Sequence, residues 1–574
     1  MYPLTSYTLT AIVERSADLF PDQPALAHVG GIPINFKEFA EAVKALQALL
    51  KEHGISFGDK VAILSESNPN WGIAYFAITA MGAIAVPILP DFHPDAIHHI
   101  IRHSESSAVI VSQKLFNKIE DGQFDSPPAL FLMETFSPVQ FGEGSQRLKE
   151  LKKAGLREFH SIMDKAQKLI ERKDASKIEG TASPFSAGAV VSPSDVAAII
   201  YTSGTTGHSK GVVLTHENIV SNASAVRSIV EVGPGDRMLS ILPLSHTYEC
   251  TLGLVIPIMN GAFVSYMDKP PTARALLPAM AKVQPTVMLS VPLVIEKIFR
   301  SAIKPKLTNS LVKRWLYKLA RRRLHAMAGK KLLSLFGGSL RVFCIGGAAL
   351  APEVEQFLRD ARFPYAIGYG LTETSPLVAG TGPEETKYTS TGYALEGVQL
   401  KIDAPNPETG EGEILAKGPN VMREYYKAPE ITKSVFTEDG WFRTGDLGYI
   451  ADDGYLYIRG RSKNVIVGPS GENIYPEELE GLILQSAWVL ETIVYEKDGK
   501  LVARIHLDRT KIDEEYGKMN VAKLEEKVLS LLEEIRKSVN SKVSGFSRLV
   551  KVSEQTEPFE KTPTQKIKRY LYVD

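Results

Sequence analysis

The 574-residue chain is poor in cysteine, with only Cys250 and Cys344, and neither sign of charge is in excess: 66 basic and 66 acidic residues cancel. Two cysteines in apolar surroundings are too few for a disulfide framework and suit a reducing compartment, where they read as core residues. The balanced charge removes any global steering toward nucleic acid. The N-terminus, Met1-Tyr2-Pro3-Leu4-Thr5, lacks the basic and apolar regions of a signal peptide, so the cytoplasm is the expected location. Long hydrophobic runs are scarce too. The best transmembrane candidate, Ile73 to Pro90, is of roughly minimum spanning length. It breaks at Gly82, and the two parts predict a helix through Met81 followed by a buried strand over Ala83–Ile88.

Acidic residues are absent between positions 297 and 352, where Lys304, Lys306, Lys313, Arg314, Lys318, Arg321, Arg322, Arg323, Lys330 and Lys331 accompany Trp315, Leu316, Leu319 and Leu324. A basic amphipathic helix of this kind lies on anionic lipid, or else presents a solvated basic face over a buried apolar stripe.

What is abundant is glycine and hydroxyl in one place. Tyr201-Thr202-Ser203-Gly204-Thr205-Thr206-Gly207-His208-Ser209-Lys210-Gly211 is a loop whose backbone N–H groups can turn toward an anion, with hydroxyls and one lysine as further donors. Apolar runs flank it, Ala197–Tyr201 before and Val212–Leu214 after, so the loop hangs between two strands. A helix starts only at Thr215, a candidate N-cap. A Walker loop requires Ser or Thr after its lysine and leads directly into a helix; here Gly211 and a strand follow Lys210, and that reading fails.

Apolar strands alternate with amphipathic helices over the first 460 or so residues, as in Val61–Leu64, Ala108–Val111 and Thr286–Leu289. The expected fold is α/β, with a large N-terminal domain (1–461) of mixed and parallel sheets layered with helices. The pattern weakens between about 120 and 195, through a charged helical stretch (Gln146–Arg172) and a Ser/Ala/Gly/Pro-rich one (Ala175–Ser194), which reads as an insertion with a mobile loop. From 462 to 574 a smaller α+β domain is expected. Its strands fall at Glu491–Tyr495 and Leu501–Ile505, a helix follows Ile474-Tyr475-Pro476, and a longer one spans Leu524–Val539.

Further motifs carry chemistry. Gly368-Tyr369-Gly370 makes a tight turn with a flat aromatic face for a purine, and Thr372 and Glu373 supply oxygens, the carboxylate suiting Mg²⁺ among phosphates. Asp446 can accept hydrogen bonds from a ribose diol and Arg461 can donate, although for either residue alone a structural salt bridge is the default. Gly346-Gly347-Ala348-Ala349 is small enough for backbone to approach a base. Taken alone, His246 reads as a core histidine and Lys566 as a solvated lysine.

Five motifs, in order, resemble those of the adenylate-forming acyl-CoA synthetase superfamily, in its AMP-forming long-chain branch: Tyr201–Gly207 with Lys210-Gly211, Gly368–Thr374, Trp441-Phe442-Arg443-Thr444-Gly445-Asp446, Gly460-Arg461-Ser462-Lys463, and Pro563-Thr564-Gln565-Lys566-Ile567-Lys568-Arg569. The resemblance implies that ATP lies with its β- and γ-phosphates in the loop of Thr202, Ser203, Gly204, Thr205, Thr206, Gly207 and Lys210. It puts Mg²⁺ on Glu373 with Thr202, and Thr372 beside them. Adenine lies on Tyr369 and Gly370 near Gly347 and Ala348, and the ribose on Asp446 and Arg461. By the same resemblance Lys566 contacts carboxylate and α-phosphate together, His246 lines the acyl and thiol paths, and Lys463 is the hinge of a mobile C-terminal domain. A swing about it presents the Gly468–Asn473 face, with Gly471, to coenzyme A. Gln565 stands where many members have Gly, and Ser209 where proline is common.

The implied activity is ATP-dependent conversion of a long-chain fatty acid to acyl-AMP, then to acyl-CoA. An acyl carrier protein is the alternative acceptor. A non-catalytic, membrane-associated nucleotide-binding scaffold is the reading of another class, disfavoured by Lys566 and Glu373. An aryl or short-chain ligase is disfavoured by Gln565-Lys566 and the basic segment.

Overall fold

In the computed structural model, residues 4–120, 122, 124–142, 150, 190–202, 209–308, 310–467, 473–517, 519–562 and 566–573 are described. Two large sheets dominate. One has nine strands. Its strands Tyr365–Gly370, Val342–Ile345, Val287–Ser290, Arg237–Ser240, Phe263–Tyr266 and Pro24–His28 lie side by side in that order and run parallel. The other has eight, with Ile84–Ile88, Lys60–Leu64, Ser106–Val111 and Ala129–Leu132 parallel at its centre. Parallel strands need covered faces, and the helices supply the cover.

The helix Phe36–Glu52 shows why the elements form where they do. Asn35 and Glu38 close a capping box at its start, and Phe36, Phe39, Val43, Leu46 and Leu50 form its buried stripe. The helix Pro69–Ala80 is capped by Asn68 and is apolar on every side, and its residues from Trp71 to Ala80 are all buried. A helix without a polar face is a core helix. Gly82, at a φ of +77°, turns the chain into the strand Ile84–Ile88, so the apolar run is the expected helix and strand. No helix among the described residues is long and apolar enough to cross a membrane.

A four-stranded antiparallel sheet follows (Gln399–Asp403, Gly412–Lys417, Phe442–Ile450, Leu456–Arg461). Residues from Ile474 onward then build a core of their own. Helices Pro476–Ile483 and Val521–Asn540 pack Ile483, Leu531 and Leu532 against Ile505 and Leu507 of a three-stranded sheet.

One expectation needs correcting. The stretch from about 120 was read as an insertion, yet Ala129–Leu132 pairs in parallel with Ser106–Val111, burying Phe131 and Leu132, and Pro138–Val139 closes the sheet edge. The stretches Gln146–Arg172 and Ala175–Ser194 fall largely outside the described residues. The basic segment forms the helix Leu311–Leu335, with non-helical backbone at Ala320. Two of its apolar residues are exposed, Trp315 at 63% and Leu319 at 65%, while Leu332 near its end is buried.

Candidate functional site

Val196–Thr202 and Lys210–Thr215 form an antiparallel hairpin that pairs Thr202 with Lys210, so the glycine-rich loop does hang between two strands. Its residues Ser203, Gly204, Thr205, Thr206 and Gly207 lie outside the described residues. Thr215 caps the next helix, its hydroxyl accepting from the Asn218 N–H while the Asn218 side chain accepts in return.

The hairpin brings Lys210 to Glu373 through a residue that sequence reasoning missed. The Lys210 Nζ stands 5.1 Å from the ring centroid of Tyr425, and the Tyr425 hydroxyl donates to Glu373 Oε1 at 2.7 Å. Tyr425 belongs to a two-residue strand that pairs antiparallel with Lys210–Thr215, Tyr425 opposite Val212. Its role comes from long-range pairing, which leaves no local signal. Glu373 sits on the single turn Thr372–Thr374, and its backbone carbonyl accepts from the Met422 N–H at 2.7 Å. Among the described residues its Oε2 takes no hydrogen bond, so a hard oxygen is available beside the Lys210 hairpin. That donor set fits Mg²⁺.

A second group of site residues meets at Asp446. The strands Phe442–Ile450 and Leu456–Arg461 pair Asp446 with Arg461, and Arg461 Nε lies 2.8 Å from Asp446 Oδ1. On the other side the Tyr369 hydroxyl donates to Asp446 Oδ2 at 2.6 Å. Burial raises the Asp446 carboxyl, opposed by Arg461, the Tyr369 hydrogen bond and Lys566. The glycines around Tyr369 are needed for close approach: a Cβ on Gly370 would lie 1.9 Å from the Pro376 carbonyl oxygen, and one on Gly368 2.7 Å from Leu377 Cδ1. Gly347, at a φ of +87°, and Ala348 are exposed where the chain leaves the strand Val342–Ile345.

Lys566 arrives from the far end of the chain. The Thr562 N–H donates to the Lys566 carbonyl at 2.7 Å, the Lys566 N–H to Thr562 Oγ1 at 3.2 Å, and Lys561 pairs with Ile567. Arg569 grips both carboxylate oxygens of the nearly buried Glu480 and so ties this turn to the helix Pro476–Ile483. The Lys566 side chain is open to solvent yet stands in a crowded cleft. Desolvation, then repulsion from Arg461, lowers its ammonium below the ordinary lysine range, while Asp446 and Glu373 oppose that. His246 feels Lys566 as well: burial, with Lys566 adding, pushes its imidazole down to about 4, so it is neutral at physiological pH. Lys463 lies exposed on the turn Ser462–Asn464. Gly471 is outside the described residues.

An apolar cavity, partly open to the outside, is lined in part by Gly368, the neighbour of Tyr369. Its wall on one side is a face of the nine-stranded sheet, with Val287, Leu289, Cys344 and Ala366 in register. Tyr248 and Leu252 face them from a π-helix, Glu249–Val255. A Cβ on Gly346 would sit 3.2 Å from Tyr248 Cζ, so the glycine leaves room for the phenol beside the end of the strand Val342–Ile345. Cys344, expected as a plain core residue, is free, partly exposed and part of this wall, whereas Cys250 is free and buried. No motif marked the cavity, because it arises from facing positions on separate strands. A concave, largely apolar chamber is the usual form of a small-molecule binding site.

The sequence profile of the AMP-binding enzyme family matches residues 13–426, well over half of the chain. This chain belongs to that family. Among its relatives is the long-chain-fatty-acid–CoA ligase FadD15 of Mycobacterium bovis, 31% identical over 80% of this chain and 74% of the relative. The chloroplastic long-chain-fatty-acid–[acyl-carrier-protein] ligase AEE15 of Arabidopsis thaliana is 27% identical over 98% of this chain and 84% of its own length. Among solved structures, the o-succinylbenzoate CoA synthetase MenE of Bacillus subtilis, in complex with its acyl-adenylate intermediate, superposes with a TM-score of 0.73 at 22% identity, covering 98% of each chain. That likeness is one of fold. With the family match, it makes the protein an adenylate-forming ligase with the expected α/β architecture.

Proposed function

We propose that the chain activates a long-chain fatty acid with ATP and passes the acyl group to coenzyme A, releasing AMP. The observation that carries this reading is the junction of two environments. Arg461, Asp446 and Glu373 all act on the Lys566 charge, and the apolar cavity is lined by Gly368, the neighbour of Tyr369, whose hydroxyl donates to Asp446.

In the first step the acid lies with its chain in the cavity and its carboxylate toward Lys566. One carboxylate oxygen attacks the α-phosphorus of ATP, and the bond to pyrophosphate breaks. Lys566 places positive charge where negative charge grows on the phosphorus, and the hairpin with Lys210 receives the leaving phosphates. Glu373, with Thr202, is the residue to hold Mg²⁺, which when bound offsets phosphate charge. Asp446 fixes the ribose and Tyr369 backs the adenine. Neutral His246 lines the path without moving a proton. In the second step the smaller domain, 462–574, turns about Lys463 and carries Lys566 away, so that a thiol presented along Gly468–Asn473 attacks the acyl carbonyl and AMP leaves. Exchange of one site between two chemistries is a known use of domain motion. An AMP-release assay with acids from short to long and aromatic, supplied with coenzyme A or with holo acyl carrier protein, tests the reading. AMP release only with aryl or short acids, or only with the carrier protein, overturns the corresponding part. A scaffold without catalysis would bind ATP and show no acid-dependent pyrophosphate exchange.

The same reading extends to peripheral contact with an anionic membrane from a cytoplasmic location. On the helix Leu311–Leu335, Trp315, Leu319 and Met327 (69% exposed) share the surface with exposed Lys313, Arg322, Arg323, Lys330 and Lys331. Apolar side chains amid cations suit the boundary between headgroups and acyl chains. Vesicles of phosphatidylcholine containing phosphatidylglycerol are expected to sediment with the protein at low salt, and vesicles of phosphatidylcholine alone much less. Trp315→Ala with Leu319→Ala is expected to abolish the difference; equal sedimentation of this double variant would exclude the helix as the contact.

A further inference from the structure

Behind the cavity wall lies a carboxyl group to which the reaction gives no task. Glu249 opens the π-helix Glu249–Val255 and is 1% exposed. π-Turns are rare and frequent at functional sites, and here Leu252 within the turn and Tyr248 just before it line the cavity. The Glu249 side chain folds back over its own helix. A Cβ on Gly253 would stand 2.7 Å from Glu249 Oε1, so only glycine leaves room for the carboxyl there. Its single hydrogen bond crosses to the sheet, where the Ser240 hydroxyl donates to Oε1 at 2.6 Å. Its Oε2 is buried with no partner, and no cation pairs with it among the described residues.

We propose that Glu249 is a positioning residue for acid binding: as a neutral carboxylic acid it fastens the π-helical wall to the strand Arg237–Ser240 through Ser240, and so holds Tyr248 and Leu252 in the shape that admits the acyl chain. The inference rests on the fatty-acid reading of the cavity. An ionised carboxylate there would carry an unpaired charge in an apolar interior, which is costly unless the group moves or takes up a proton. The surroundings offer no relief. Ser240 faces it from its strand, Tyr266 from the strand Phe263–Tyr266, and Tyr248 and Cys250 from its own turn, with Tyr75 of the helix Pro69–Ala80 behind Cys250. Burial raises all four of those phenol and thiol groups above their ordinary values, so they stay neutral and supply no positive charge. Burial likewise pushes the Glu249 carboxyl up to about 8, against the Ser240 hydrogen bond. Since the folded value is raised, the neutral form prevails below it and is lost as pH rises through about 8.

The test is the KM for a saturated fatty acid in ATP–pyrophosphate exchange between pH 7 and pH 9, which leaves the thiol out of the assay. For one group titrating near 8, the wild-type KM for the acid is expected to rise roughly tenfold across that span while the KM for ATP stays level. Glu249→Gln keeps a neutral acceptor and is expected to show the pH 7 value throughout. Ser240→Ala, which removes the anchor, is expected to raise the KM for the acid already at pH 7. Glu249→Gln rising like the wild type, or Ser240→Ala leaving the KM for the acid unchanged, overturns the proposal; if the glutamine variant does not fold, the serine variant decides. Absence of exchange with every acid at every pH would instead overturn the fatty-acid reading itself.

Discussion

Lys566→Ala is expected to slow acyl-adenylate formation by roughly 10²–10³-fold, the usual effect of removing one preorganised charge from a site of developing negative charge. The substitution removes an ammonium that stands in the fields of Arg461, Asp446 and Glu373, where ribose, phosphates and metal are proposed to meet. Desolvation and Arg461 lower the lysine from its ordinary value, while Asp446 and Glu373 oppose that. Thiolation of a supplied acyl-adenylate is expected to change only a few-fold, because in the proposed mechanism the lysine is carried away before that step. Pyrophosphate exchange measures the first half-reaction, and single-turnover thiolation of synthetic acyl-adenylate measures the second. Equal losses in both would refute the division of labour.

Asp446→Ala is expected to raise the KM for ATP by about ten- to a hundredfold, since hydrogen bonds to a charged acceptor are each worth about 1.5–3 kcal/mol. It is also expected to cost about 1–3 kcal/mol of stability by leaving the Tyr369 hydroxyl buried without its acceptor. Tyr369 is 8% exposed and Asp446 4%, so water does not replace the lost partner. Arg461 is 44% exposed at its side chain and is resolvated, so its share of the loss is small. Asp446→Asn separates the effects: an amide oxygen still accepts from Tyr369 and keeps most of the stability, while the charge that favours the ribose diol is gone. Denaturant midpoints and ATP kinetics of the two variants give both numbers. An alanine variant of reduced stability but wild-type KM for ATP would show that Asp446 is only structural.

The parts legible in the sequence were those where local pattern and local structure coincide. The strand, loop and strand around Thr202 and Lys210 could be read from apolar runs interrupted by glycines, and the break at Gly82 from a residue that adopts positive φ without strain. Ala129–Leu132 was taken for part of an insertion because four apolar residues after two prolines show no periodicity, and only the pairing with Ser106–Val111 makes them a core strand. Tyr425 was missed for the same reason, since a strand of two residues has no pattern of its own. Helical spacing put Trp315 and Leu319 on one stripe, but whether another element covers a stripe is decided by tertiary packing, and among the described residues these two stay exposed while Leu332 is buried. The cavity was the least legible of all. Met238, Val287, Leu289, Cys344 and Ala366 become neighbours only through parallel register between strands far apart in the chain.

That cavity is also a gap in the protein's own interior. The atoms lining it lack the neighbours that a close-packed core provides, so a hydrocarbon tail bound there, as proposed, would complete the packing that the polypeptide leaves unfinished. Each methylene drawn inside contributes about 0.8 kcal/mol, and it does so for the thioester as fully as for the free acid. The tail that fills the space best is therefore the one that holds the product longest, and turnover favours a chain that fits well enough to be captured and loosely enough to depart.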